Sequence, residues 1–208
     1  MKSSDIPTEG SWDAWNAQGG PKYPHEKVIQ FCFRNYKPEA RQNVRALDLG
    51  CGSGVHTLFL VSEGFNVTGV DPSESGIANT RRLLEGRQLV ADLLRVGAEA
   101  IDFPPESFEL IICIGVIDAV GPKLARKAMT RLAGILAKGG RGLFLFASDR
   151  DFRIGVEHPF GVQLHGYTRK EVDDLFAETF AEVWIDHYIT TYQGGRSEQN
   201  DWLVTVRN

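Results

Sequence analysis

The sequence predicts an α/β fold, a parallel sheet with helices on both faces that is finished by an antiparallel hairpin. Three observations predict it. Strand-like and helix-like stretches alternate from residue 44 onward, the order of a parallel sheet whose crossovers are helices. Phe108 to Ile114 is an uninterrupted apolar run, as a strand covered on both faces requires. Near the carboxyl end, two β-rich stretches flank a polar turn, the pattern of a hairpin.

Taken in order, Val44 to Leu49 reads as the first strand, and Val55 to Glu63 as a helix carrying Leu58, Phe59 and Val61 that stops at Gly64. Phe65 to Val70 is the next strand. It runs into Asp71-Pro72-Ser73, a helix start, with Ile77, Thr80, Leu83 and Leu84 at helical spacing and Gly86 at the end. Leu93 to Val96 is a short third strand and Phe108 to Ile114 the fourth. The following helix opens at Gly121-Pro122, aligns Leu124, Ala128, Leu132, Ile135 and Leu136 on one face, and stops at Lys138-Gly139-Gly140. Gly142 to Ala147 makes the fifth strand. Residues 148–167 form a long connection rich in Asp, Arg, His, Pro and Gly, and such loops in compact domains are usually functional or disordered. Thr168 with Glu171 is a capping box opening a helix with Val172, Leu175 and Phe176. Glu182 to Tyr192 and Trp202 to Arg207 are the last strands, around the turn Gln193 to Asn200.

Length and composition bound the function. At 208 residues with 42% hydrophobic content, the chain predicts a single compact domain. With 23 Lys and Arg against 27 Asp and Glu and no long basic run, nothing provides the concentrated cationic patch that nucleic acid requires. The three cysteines, Cys32, Cys51 and Cys113, are far apart, so neither a disulfide framework nor a CxxC site is expected, and a reducing cytoplasm fits. No run reaches the 18 or so apolar residues of a membrane span, and the start MKSSDIPTEG lacks the apolar core of a signal peptide. No clustered His, Asp or Glu signature calls for a metal.

The chemistry concentrates at LDLGCGSG, residues 47–54, where Gly50, Gly52 and Gly54 follow the first strand. That is the carboxyl edge of the sheet, where open α/β folds bind ligands, so a ligand is expected against this backbone. The pattern is GxGxG: counted from Gly50 or Gly52, the third glycine of a GxGxxG dinucleotide loop falls on Val55 or Thr57, which speaks against NAD. Asp71 closes the second strand, where a carboxylate can accept both hydroxyls of a ribose.

These residues resemble the class I S-adenosylmethionine-dependent methyltransferases. The resemblance rests on ALDLGCGSG, GVDPSE at 69–74, PPESFELIICIGVIDAV at 104–120 and LAKGGRGLFLF at 136–146, in that order. It implies a Rossmann-like, seven-stranded mixed sheet with one reversed strand, and S-adenosylmethionine as cofactor. It also implies a contact set of Asp48, Gly50, Cys51, Gly52, Gly54, Asp71, Pro72, Ile114 and Gly115, with the glycine loop on the methionine and ribose and Asp71 on the ribose. In many relatives an acidic residue ends the third strand and holds the adenine amino group. Here that position falls on Gly97. Ala98 through its N–H and Glu99 through its carboxylate are the substitutes, with Ile101 beside the ring; Glu99 reads equally as a solvated turn residue.

Residues 1–43 are expected to form a helical lid over a domain spanning 44–208. They carry Trp12, Trp15, Tyr23 and His25 and then a helical stretch with Val28, Ile29, Phe31, Cys32 and Phe33. Tyr23 could cover the sulfonium cation through its ring face; the equal alternative is that these aromatics only pack the helix onto the sheet. Methyl transfer needs alignment, exclusion of water and, for an oxygen acceptor, removal of a proton. Candidate bases above the fourth and fifth strands are Asp118, Asp149, His158 and His165, with Tyr188 orienting the acceptor. A loop histidine also reads as a structural residue. The expected function is methylation of a small-molecule acceptor on oxygen or nitrogen, by a monomer or homodimer without nucleic acid or membrane. The alternatives are a regulatory module that binds the cofactor without turnover, and a protein or nucleic-acid methyltransferase. The Asn/Asp-Pro-Pro-Tyr segment of nucleic-acid amino-methylating enzymes is missing after the fourth strand, where the chain reads CIGVIDAV.

Overall fold

The computed structural model describes residues 9–208. Its sheet has seven strands: β1 (Arg45–Leu49), β2 (Asn66–Asp71), β3 (Asp92–Arg95), β4 (Phe108–Ile114), β5 (Leu136–Ala147), β6 (Glu182–Tyr192) and β7 (Ser197–Arg207). They lie in the order β3-β2-β1-β4-β5-β7-β6. Pairing is parallel from β3 through β5, and β7 runs antiparallel to both β5 and β6. The expected mixed sheet and closing hairpin are therefore present.

Because the strand order reverses between β1 and β4, the loops leaving these two neighbours diverge and open a crevice at the carboxyl edge. Alternate residues of the central strands feed two cores. Leu47, Leu49, Ile111 and Cys113 pack under α5 (Ile117–Ile135) and α6 (Arg169–Phe176). Ala46, Leu110 and Ile112 pack under α2 (Glu26–Asn35) and α3 (Val55–Ser62). A strand with both faces buried has no use for polar alternation, which is why Phe108–Ile114 is apolar throughout. Burying one such aliphatic side chain stabilises the fold by roughly 1.5–3 kcal/mol.

Several boundaries differ from expectation. α5 starts at Ile117, four residues before Gly121-Pro122. Gly121 breaks it with φ 72° and ψ 164°, so the expected opening is the restart after a kink. It stops at Ile135, and Lys138-Gly139-Gly140 lies inside β5, where the register to β4 shifts between Phe108 and Leu110. β7 begins at Ser197, because Glu198, Gln199 and Asn200 pair with β6 rather than form a turn. These polar residues suit an edge hairpin, and the Asn200 side chain also bonds His187. The connection 148–167 is stitched at its ends by a bridge between Ser148 and Tyr167. Thr168 and Glu171 form the expected capping box.

The aromatic N-terminal segment is helical: α1 (Glu9–Ala17) packs on α4 (Glu74–Glu85). Residues 1–8 of the expected lid lie outside the described residues. Asp13 supplies the anchor. Its Oδ1 accepts from Ser75 N at 3.1 Å and from Ser73 Oγ at 2.8 Å, at the N-terminus of α4, where backbone N–H groups lack partners and negative charge is favoured. These hydrogen bonds, the one from Ser75 N foremost, hold the Asp13 carboxyl below its ordinary value. Asn79 Nδ2 adds a bond to Asn16 O at 2.8 Å. No helix among the described residues is long and apolar enough to cross a membrane.

Candidate active site

The crevice holds two adjoining cavities, its two arms. The first, about 600 Å³, lies beside the end of β3 and is lined by Arg95, Val96, Gly97, Ala98 and Glu99. The second, about 380 Å³, follows the glycine loop to His56, Asp118, Arg153 and His158. Trp12, Pro72, Ala119 and Val120 line both.

Asp71 lines the second arm, next to Pro72, which lines both. Its Oδ2 accepts Gly52 N–H at 2.9 Å and its Oδ1 accepts Ser73 N–H at 2.8 Å. The carboxylate is thus fixed at the end of β2, and each oxygen keeps lone-pair capacity for a ligand hydroxyl. Burial pushes its pKa up to about 6, opposed by those two backbone bonds. The glycines beside it serve different neighbours. A Cβ at Gly50 would meet Val116 Cγ2 at 2.3 Å, so this glycine lets the β4–α5 loop close over the cavity floor. A Cβ at Gly54 would lie 2.7 Å from the Thr80 backbone, so the third glycine lets α3 pack on α4 and does not line the cavity.

Gly50, Cys51, Gly52, Asp71, Pro72, Ile114 and Gly115 line the second arm as expected, and Ala98 and Glu99 line the first. Glu99 has a specific placement. A Cβ built at Gly97 would come within 2.8 Å of both its carboxylate oxygens. The Glu99 carboxylate thus folds back over Gly97, the position at which the acidic residue of many relatives was expected. Three other expectations are corrected. Asp48 is buried beneath the loop, where Thr57 Oγ1 donates to its Oδ2 at 2.6 Å; it braces α3 against β1. Tyr23 is 82% exposed and lines neither arm, because the chain after Gly19-Gly20 turns away toward α2. Ile101 is buried in the core and lines neither arm.

Of the candidate bases, Asp118 and His158 reach the cavity. Asp118 is 2% exposed; its Oδ2 accepts Ala147 N–H at 3.0 Å, and its Oδ1 has no hydrogen-bond partner. Burial raises its pKa to about 6, and Arg153 pulls the other way. His158 Nε2 is bonded to Arg153 O at 3.0 Å. His165 does not line the cavity. Its Nε2 pairs with Glu171 Oε1 at 3.1 Å and its ring abuts Tyr167 edge-on, so it serves the start of α6. Asp149 is exposed outside the cavity. Tyr188 packs against His25 and Lys27 and lines neither arm.

Sequence reasoning missed Asn16, His56 and Arg153, all of which line the second arm. Asn16, from α1, puts Oδ1 3.2 Å from the Cβ position of Gly52 and Nδ2 3.1 Å from that of Gly76, beside Asp71. His56 sits two residues past Gly54, the end of the glycine loop, and that adjacency was its only local signal. Among the described residues no group of three His, Cys, Asp or Glu could hold a metal ion.

Comparison with known proteins gives a consistent picture. Residues 46–140 match a family described as a methyltransferase domain. The chain is 31% identical over 119 residues to a ubiquinone biosynthesis O-methyltransferase of Sinorhizobium fredii, covering 57% of this chain and 47% of that protein. It is 32% identical over 117 residues to a phosphatidylethanolamine N-methyltransferase of Cereibacter sphaeroides, covering 54% and 56%. The chain thus spans about half the length of the curated relatives it matches. In fold it is similar to magnesium protoporphyrin IX methyltransferase from Synechocystis PCC 6803, solved with bound SAH (TM-score 0.70, 16% identity, 98% of this chain and 96% of that one).

Proposed function

We propose that this chain, whose residues 46–140 match a methyltransferase-domain family, is a class I S-adenosylmethionine-dependent methyltransferase that binds S-adenosylmethionine in the crevice and methylates a small-molecule acceptor. The observation that carries this reading is Asp71, a buried carboxylate fixed over Gly52 in the second arm, next to Pro72, which lines both arms. One arm ends at a second carboxylate, Glu99, and the other at a partner-less carboxylate oxygen, Asp118 Oδ1. An elongated cationic ligand with a ribose at its middle fits that order. S-adenosylmethionine supplies a methyl group on a sulfonium, so the acceptor's lone pair forms the new carbon bond while sulfur keeps the pair of the old one.

The chain's residues then divide the work. Asp71 accepts the ribose hydroxyls. Glu99 accepts from the adenine amino group in place of a side chain at 97, and the Ala98 N–H supports the ring. The backbone of Gly50 to Gly52 carries the methionine part. α1, docked by Asp13, closes the ribose side with Trp12 and Asn16 and excludes water, the role of residues 1–43 as a lid over 44–208. Asp118 takes up the proton of a hydroxyl acceptor, since a carboxylate with a pKa near 6 is ionised at neutral pH and still basic enough to be useful. The relatives' names point to ubiquinone biosynthesis and to phosphatidylethanolamine, neither a protein nor a nucleic acid.

Calorimetric titration tests the reading. S-adenosylmethionine and its demethylated product, S-adenosylhomocysteine, should both bind without added metal, and NAD should not. Binding of NAD alone would overturn it.

A further inference from the structure

We propose that the acceptor end of the second arm selects an uncharged molecule carrying a hydroxyl next to a second oxygen, read by Asp118, His56 and Arg153. The proposal rests on the methyl-transfer reading of the cavity and adds the chemical class of its acceptor.

His56 lies in the first turn of α3. Its Nε2 accepts the backbone N–H of His25 at 3.1 Å, which puts the ring proton on Nδ1. Burial drives its pKa down to about 4, so the ring stays neutral at physiological pH. The imidazole is a fixed N–H donor lining the cavity, and its Nδ1 has no hydrogen-bond partner among the described residues.

Arg153 is fixed in the same way from behind. Its Nε donates to Asp151 Oδ1 at 2.7 Å, and its Nη2 donates to Asp151 Oδ2 at 2.9 Å and to Asp201 Oδ1. Asp151 is itself held by Asn200 N–H at 2.6 Å. Those bonds occupy Nε and Nη2, so Nη1 is the remaining donor of this cavity-lining side chain. Asp118 Oδ1 is a buried acceptor without a donor. The lining therefore offers two fixed donors and one orphaned acceptor, among the apolar surfaces of Trp15, Val116, Val162 and Leu164.

Charge narrows the ligand further. Arg153 already faces two carboxylates, and Asp118 is close enough to feel both Arg153 and Asp201. A carboxylate or phosphate acceptor would bring a further negative charge into a cluster that holds three against one. An ammonium group would satisfy Asp118 but has no free lone pair and nothing to offer the two donors. A hydroxyl donates its proton to Asp118 Oδ1 and keeps its lone pairs, and a neighbouring oxygen accepts from Arg153 Nη1 or His56 Nδ1. Ligands that leave such buried groups unpaired are rejected strongly, since the site pays their desolvation without return.

The test uses the whole protein saturated with S-adenosylhomocysteine and four probes: 1,2-dihydroxybenzene, 1,4-dihydroxybenzene, phenol and benzoate. Binding is measured by calorimetry, with S-adenosylhomocysteine affinity recorded first. 1,2-Dihydroxybenzene should bind at least about ten-fold tighter than the other three, one good hydrogen bond's worth of discrimination. His56→Phe and, independently, Asp118→Asn should each erase most of that preference while S-adenosylhomocysteine still binds. If the product binds but the 1,2-isomer shows no preference, or benzoate binds best, the acceptor class is wrong and the methyl-transfer reading stands. If the wild-type protein does not bind S-adenosylhomocysteine, that reading falls and the acceptor class falls with it.

Discussion

Replacing Asp118 by Asn should change how stability depends on pH, in a direction and amount that the structure fixes. In the folded protein burial lifts the carboxyl of Asp118 from 3.8 to about 6. Between those values the folded state holds a proton that the unfolded chain has released. Stability therefore falls as pH rises through this window, and the loss is complete above about pH 6. A shift of about two units corresponds to about 3 kcal/mol, which the wild type forfeits at neutral pH and Asp118→Asn does not. The amide keeps an oxygen for the Ala147 N–H, so the backbone of β5 stays anchored. Whatever its new N–H groups find adds a constant, but the dependence on pH remains. Urea unfolding of both proteins at pH 4.5, 5.5, 6.5 and 7.5 should show the variant gaining on the wild type by about 2 kcal/mol across the series, the first part of the loss having fallen below pH 4.5. Asp48 and Asp71, also raised to about 6, are present in both and cancel to first order. A difference independent of pH, or a wild type that gains as pH rises, would refute the placement of a desolvated carboxylate at this end of the cavity. Turnover of a hydroxyl acceptor should fall about 100-fold to 10,000-fold in the same variant.

Three further outcomes are expected. Asp71→Asn should weaken S-adenosylhomocysteine binding by roughly 1.5–3 kcal/mol, the worth of hydrogen bonds to a charged group, with an unchanged circular dichroism spectrum; full affinity would move the ribose elsewhere. Asp13→Ala removes the bonds that dock α1 on α4 and should speed dissociation of S-adenosylhomocysteine about five-fold, for a helix-end contact worth about 1 kcal/mol; stopped-flow displacement with an unchanged rate would mean that α1 does not gate the site. His165→Gln should cost under about 1 kcal/mol of stability, as expected for a half-exposed pair with Glu171, and leave product affinity and turnover intact. A large loss of turnover at unchanged affinity would return His165 to the catalytic set.

The sequence by itself determined the layers of this protein. Uninterrupted apolar strands such as Phe108–Ile114, helices marked by their caps, and a glycine loop followed by an acidic strand end at Asp71 are local patterns, written by what each segment's own backbone must bury or bond. The GxGxG spacing and Asp71 therefore led straight to the crevice and its ligand. What local pattern cannot record is where a side chain points once elements distant in the chain have packed. His158 and His165 lie seven residues apart in one loop, yet only His158 lines the cavity, because Glu171 at the start of α6 claims the other ring. Glu99 lies beside Gly97 because the short turn after β3 folds its carboxylate back over the glycine. Tyr23 was the residue expected to cover the cation, but docking of Asp13 on α4 brings Trp12 and Asn16 to the lining of the second arm and leaves Tyr23 in solvent. His56 and Arg153 became site residues through contacts with His25, Asp151 and Asp201. Their aim is set by partners on other elements, and side-chain aim is a property of packing that no stretch of sequence holds by itself.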